Sequence, residues 1–258
     1  MFAAASQGSI VTLTLCSPPV NAISEEWLAA LAGELDAVTA DGDCKVLHIR
    51  SSEKVFCAGA DLDEVRGRIA LSDGADRMFA YVAGIQRLFA RLERLPVVTL
   101  AEIGGAAMGG GLELALACDL RIAANEAKLG LPEAQLGLIP GAGGTQRLTR
   151  LCGPATAARL ILTAETVDGA TAERLGLVHW AAPRAELAAR ARAAAERVSE
   201  LSSCALSAAK ACLAASRPER DGFAQELEFT RLLLREPETR SRIDAFFARR
   251  GLGEGAVR

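Results

Sequence analysis

Val97 to Ala124 reads VVTLAEIGGAAMGGGLELALACDLRIAA. Its opening seven residues, Val97 to Ile103, are apolar and β-rich, and a glycine cluster then breaks the run. Leu112 to Cys118 is helix-like, and Asp119 to Ala124 returns to a strand pattern. Strand, turn, helix and strand in close succession are the repeating unit of an α/β fold. One residue breaks the apolar text: Glu113, directly after Gly109-Gly110-Gly111. An unpaired carboxylate is costly to bury, so Glu113 calls for a partner or a raised pKa.

The same alternation extends outward. Upstream, Ile10 to Leu15 (IVTLTL) alternates at period two, and Ser24-Glu25-Glu26 opens an amphipathic helix with Ser24 as N-cap. Lys45 to Arg50 (KVLHIR) reads as a strand, and Gly74 to Arg94 as a helix. From Arg184 the chain turns Ala-, Leu- and charge-rich. Helical spacing runs over Ala185–Leu201, Ser203–Ala215 and Glu219–Arg250, with breaks at Pro218 and near Pro237. We expect an α/β core over 1–195 and a docked helical region over 196–258, whose apolar faces pack on the core or on another subunit. No solenoid repeat is present.

Composition excludes several function classes. With 258 residues and 50% hydrophobic content, the chain can bury a core of enzyme size. A net charge of -3 lacks the basic footprint of nucleic-acid binding. No Lys or Arg precedes Lys45 and no apolar run nears the ~20 residues of a membrane span, so a soluble, cytoplasmic protein is expected. The seven cysteines (16, 44, 57, 118, 152, 204, 212) fit neither a disulfide framework nor a zinc pattern and read as small buried hydrophobes. His48 and His179, each between apolar residues, read as structural.

A second carboxylate sits in Leu129-Gly130-Leu131-Pro132-Glu133, and glycine segments surround both. Phe56-Cys57-Ala58-Gly59-Ala60-Asp61-Leu62 is a tight turn whose small residues let backbone N–H groups approach a ligand oxygen. Gly104 to Gly111 leads into a helix, so unpaired N–H groups and the positive dipole end face whatever binds there. It lacks the spacing of a dinucleotide loop, and no Gly-Lys-Ser/Thr follows. Leu138 to Leu148 is a loop before a helix, with Thr145 as its expected N-cap; Pro140 fixes this loop near Glu133.

Together, FCAGADL, then GxAxGGGxELALACD, then LPExxLGLIPGAGGTQRL, in that order and spacing, closely resemble the crotonase (enoyl-CoA hydratase/isomerase) superfamily. The resemblance runs over nearly the whole chain and implies a crotonase-like spiral of ββα units with an α-helical C-terminal region. It further implies an acyl-CoA thioester substrate whose oxygen is held by the N–H groups of Ala58 and Gly110. Retention of both glutamates implies hydration of a 2-enoyl-CoA, with Glu133 the proton donor to Cα and Glu113 holding and activating the water. Ala58, Gly59, Ala60, Asp61, Gly110, Pro140 and Gly141 are the implied substrate contacts. No cofactor or metal is implied, since coenzyme A is part of the substrate; a homotrimer or homohexamer is. Alternatives are a branched or carboxylated (methylglutaconyl-CoA-type) hydratase, a double-bond isomerase, and an RNA-binding relative. Two positions depart from the pattern. Asp63 stands where many relatives have Lys, leaving Lys54, Arg66 and Arg68 as candidates for the CoA phosphates, and Ile103-Gly104-Gly105 replaces an Asn or Asp before a single glycine.

Overall fold

The structure, a computed structural model, describes residues 1–215 and 222–249. Its strands are β1 (Phe2–Gln7), β2 (Ile10–Leu15), β3 (Val46–Ser51), β4 (Val98–Ile103), β5 (Ala107–Met108), β6 (Leu120–Ala124), β7 (Lys128–Gly130), β8 (Thr166–Asp168) and β9 (Trp180–Ala182). The helices of the core are α1 (Glu25–Ala40), α2 (Leu62–Ile69), α3 (Gly74–Glu93), α4 (Gly110–Leu116), α5 (Gly144–Leu162) and α6 (Gly169–Arg174). α7 (Arg184–Ser199), α8 (Ser203–Ala215), α9 (Gly222–Leu233) and α10 (Pro237–Arg249) follow.

The main sheet has the order β1-β2-β3-β4-β6-β9, and β5-β7-β8 form a small second sheet. β1 and β2 are an antiparallel hairpin; every later pair in the main sheet is parallel, with Ile10 opposite Val46, Val46 opposite Val98 and Leu100 opposite Leu120. Successive parallel strands require the crossovers that the alternating pattern announced. β2 buries every second residue, whereas β3 buries Val46 to Ile49 without a gap, as a strand covered on both faces must. The edge strand β1 (FAAASQ) is largely exposed and has no apolar alternation, so the sequence held no signal for it.

Helix starts follow local chemistry. Ser24 Oγ accepts from Trp27 N at 3.0 Å, and Glu25 and Glu26 occupy the first turn, where the helix dipole favours them. α1 then buries Trp27, Leu31, Leu35 and Val38, the spacing of one helical face. At the start of α5 the N-cap is Gly143, at φ 104°, and not Thr145 as expected; only glycine takes that backbone conformation without strain.

The division at 195/196 falls inside α7, which lies across β2, β3, β4, β6 and β9 and buries Leu187, Ala191 and Ala195. This helix therefore belongs to the core. Lys45 Nζ donates to the carbonyls of Ser199 and Leu201 at 3.0 and 2.9 Å, closing its C-terminal end. Lys210 of α8 reaches Val97 O at 2.9 Å and Asp119 Oδ2 at 2.6 Å, so the next helix is pinned to β4 as well. α9 packs on α3 and α5, and α10 on the turn at 133–136; the tail covers its own core. The break expected near Pro237 is present: α9 ends at Leu233 and α10 begins at Pro237, where a missing N–H costs nothing; Pro218 lies outside the described residues.

Both histidines are structural. His48 Nε2 lies 2.9 Å from Glu102 Oε2 across adjacent strands, and His179 Nδ1 accepts from Arg121 N at 3.1 Å. Burial lowers the pKa of His179 to about 4. The cysteines are free; Cys44, Cys57 and Cys118 are buried as expected, whereas Cys204 and Cys212 on α8 are exposed. No helix among the described residues is long and apolar enough to cross a membrane.

Candidate active site

Parallel strands deliver the site. The loop after β3, the loop after β4 and the segment after β7 converge beyond the strand ends, the usual place for a ligand in such sheets. Their mutual hold is main-chain. Phe56 N and Cys57 N donate to Ala106 O, Met108 N to Cys57 O and Gly109 N to Gly130 O, all at 2.9–3.1 Å. Gly59, at φ 94°, lies so close to the second loop that a Cβ there would sit 2.8 Å from Met108 O and 3.2 Å from Gly110 N.

Ala58 does not present a free amide. Its N–H donates to Val20 O at 3.0 Å, and the expected pairing of Ala58 with Gly110 is therefore corrected. Next along the chain, Ile23 N takes Gly59 O and Asp61 N takes Ile23 O, both at 2.8 Å, in a parallel bridge centred on Ala60. An extended chain points successive N–H groups to opposite sides, so this bridge turns the Ala60 N–H away from residue 23. It faces Gly110, where a Cβ would lie 3.6 Å from Ala60 N. Gly110 is the first residue of α4, whose N-cap Gly109 supplies no side-chain acceptor. Two N–H groups with no acceptor among the described residues and a helix N-terminus thus border one gap, a place suited to a developing anion.

Glu113, one turn into α4, is 3% exposed. Its Oε1 accepts from Ala142 N and Gly144 N, each at 2.8 Å. Gly144 must be glycine, since a Cβ there would sit 2.8 Å from that oxygen. Glu133 opens a 3-10 turn, Glu133–Leu136, after Pro132. Its Oε1 would lie 3.0 Å from a Cβ on Gly109, so it borders the glycines from the other side. Its Oε2 is buried with no hydrogen-bond partner among the described residues. Burial raises the Glu133 pKa to about 7, its own backbone opposing and the charge of Glu226 adding. Burial also holds the Glu113 carboxyl well above the usual range, helped by the charges of Glu133 and Glu226 and opposed by the two amides. One carboxylate is thus anchored as an acceptor, and the other has an oxygen free to hold a proton.

The remaining expected residues divide. Asp61 accepts from Asp63 N and Glu64 N and caps α2, so its carboxylate is spent on the fold. Pro140 and Gly141 stand in the loop beside Glu113; Gly141 O accepts from Gln86 Nε2 at 3.1 Å, and a Cβ at 141 would strike Val82 and Thr230. Arg68 pairs with Glu25 and Glu64 and lies over the Tyr81 ring at 4.3 Å, so its charge is already shared with two carboxylates. Arg66 stacks on Phe247 at 5.2 Å, and Lys54 is exposed beside the turn. Sequence reasoning missed Glu226 on α9, buried against the 143–146 amides. Its signal was helical spacing, since 226 and 230 share the inward face of α9.

Residues 5–251 match the family model described as enoyl-CoA hydratase/isomerase. A Bacillus subtilis protein named "Probable enoyl-CoA hydratase" is 43% identical over 194 residues, 75% of this chain and 74% of that protein. The mouse mitochondrial methylglutaconyl-CoA hydratase is 45% identical over 159 residues, 61% of this chain and 49% of that protein. The crystal structure of an enoyl-CoA hydratase from Bacillus anthracis superposes with a TM-score of 0.79 at 30% identity, covering 96% of both chains.

Proposed function

From the premise that this chain belongs to the enoyl-CoA hydratase/isomerase family, we propose that its site adds water across a 2-enoyl-CoA double bond to give a 3-hydroxyacyl-CoA. The observation that carries this is the convergence of the Ala60 and Gly110 amides beside two inward-facing carboxyl groups with different hydrogen bonding. The thioester oxygen sits between the amides. Water attacks Cβ, Glu113 takes one of its protons, and the electron pair of the double bond moves through Cα onto the thioester oxygen. The resulting enolate is stabilised by the amides and the α4 dipole, and Glu133 delivers a proton to Cα. One such donor is worth about 10²–10³ in kcat. Coenzyme A enters with the substrate and the steps need no other cofactor.

The test is loss of the conjugated enoyl-thioester absorbance on adding enzyme. Glu113→Gln and Glu133→Gln are each expected to lower kcat by roughly 10²–10⁴-fold with KM little changed. A purified wild-type protein that leaves short, long, branched and carboxylated enoyl-CoAs unchanged sinks the reading. The likeness to a methylglutaconyl-CoA hydratase supports a second reading, a preference for carboxylated substrates, which the same panel decides. The exposed Leu162, Leu213 and Phe229 support self-association into a trimer or pair of trimers, and the likeness to a Bacillus subtilis relative supports a cytoplasmic location.

A further inference from the structure

Glu226 stands apart from the pair assigned above, yet it is 2% exposed and holds the same loop. Its Oε2 accepts from Gly143 N at 2.8 Å and from Gln86 Nε2 at 3.4 Å. Its Oε1 accepts from Gln146 N at 3.2 Å and from the Thr145 hydroxyl. Glu113 takes the flanking amides, Ala142 and Gly144. Successive N–H groups of one backbone segment therefore serve two carboxylates from two different helices. Neither carboxylate can shift without displacing the donors of the other.

We propose that Glu226 is a positioning residue of the hydration site, setting the Ala142–Gly144 backbone that aims Glu113 from a helix of the C-terminal region. The proposal rests on the hydratase reading. The groups that face Glu226 are Gln86 of α3, Glu113 of α4, Glu133 of the 3-10 turn, and Thr145 and Arg147 of α5. Burial pushes its own carboxyl up, but the hydroxyl, the two amides and the Arg147 charge oppose this and favour the anion. That anion repels negative charge on Glu113 and Glu133, so the pair keeps its proton to higher pH. Without it, the proton leaves at lower pH.

Two variants separate position from charge. Glu226→Gln keeps the size and one acceptor oxygen but loses the charge; Glu226→Asp keeps the charge and draws it back by one methylene. With an enoyl-CoA substrate between about pH 5 and 9, E226Q is expected to lower kcat about tenfold with KM within about twofold, and to move the alkaline limb of kcat to lower pH. E226D is expected to lower kcat while leaving the limb near its wild-type position. The carboxyl-carbon titration of protein labelled with ¹³C at glutamate gives a readout without turnover, and the midpoint of the pair is expected to fall in E226Q. If wild type hydrates substrate but E226Q leaves kcat, limb and midpoint unchanged, Glu226 only packs and the proposal is overturned. If wild type is inactive on every enoyl-CoA, the hydratase reading falls instead; the midpoint in E226Q then upholds the coupling by falling or overturns it by staying put. Should E226Q not fold, Thr145→Ala, which removes one donor from Glu226, is expected to shift limb and midpoint the same way, and an unmoved pair again overturns the proposal.

Discussion

A single residue separates a usable amide from a spent one. Gly110 was legible because three glycines before an apolar run mark a bare helix N-terminus. Its partner was not, because the side of the turn to which each N–H points is decided by contacts with Val20 and Ile23, far upstream in sequence. Glu113 and Glu133 were legible as misplaced charges; Glu113 is buried, and Glu133 is half-buried with its carboxyl turned inward beside the glycines. The cost of Glu133 is measurable. Its pKa of about 7 in the folded state exceeds the ordinary 4.5, so stability is full below about 4.5 and is lost as pH rises through 7. That gap corresponds to roughly 3 kcal/mol at pH 8. Glu133→Gln is therefore expected to raise the Tm by several degrees at pH 8 and by much less at pH 5, while activity collapses. Calorimetry at the two pH values checks this, and equal shifts would show that Glu133 is not held against its ionisation.

Elements with strong periodicity were read closely. Ile10–Leu15 and Ser203–Ala215 match β2 and α8 residue for residue, and Gly74–Arg94 matches α3 within one. What failed was short or irregular. β5 has two residues inside a glycine segment, too few for any period to show, and the α5 N-cap went to a left-handed glycine where side-chain chemistry favoured Thr145. Attachment between elements was invisible as well. No described residue of α8 is buried, and the helix is fixed by Lys210, whose ammonium joins Val97 O to an Asp119 carboxylate already bonded to Thr99 N and Oγ1. Lys210→Met is expected to cost about 1–2 kcal/mol, or roughly 2–8 °C in Tm, with kcat unchanged. A thermal melt and a steady-state assay on that variant check both halves, and a fall in kcat would mean that α8 reaches the site.

At the scale of the molecule, the alternating pattern sufficed for the α/β class and for a helical end. Strand order and the docking of that end were not in the pattern, since they depend on which faces meet. α7 and α9 answer the second point, covering the sheet and closing over the loop at 141–146. Apolar side chains still face outward at Leu162, 78% exposed, and Leu213, 71% exposed. Sedimentation equilibrium is expected to give three or six times the 27.0 kDa of one chain, and a monomer at micromolar concentration would refute it. The amides of Ala60 and Gly110 carry a further consequence, a genetic one. A peptide N–H is encoded by no particular codon and is deleted only by proline, whereas each carboxylate is a single codon change from loss. On the proposed chemistry, Ala60 keeps its donor through any change but proline and Gly110 through any change that the 3.0 Å clearance to Ile23 Cδ1 admits, whereas Glu113 and Glu133 lose their function with one base change.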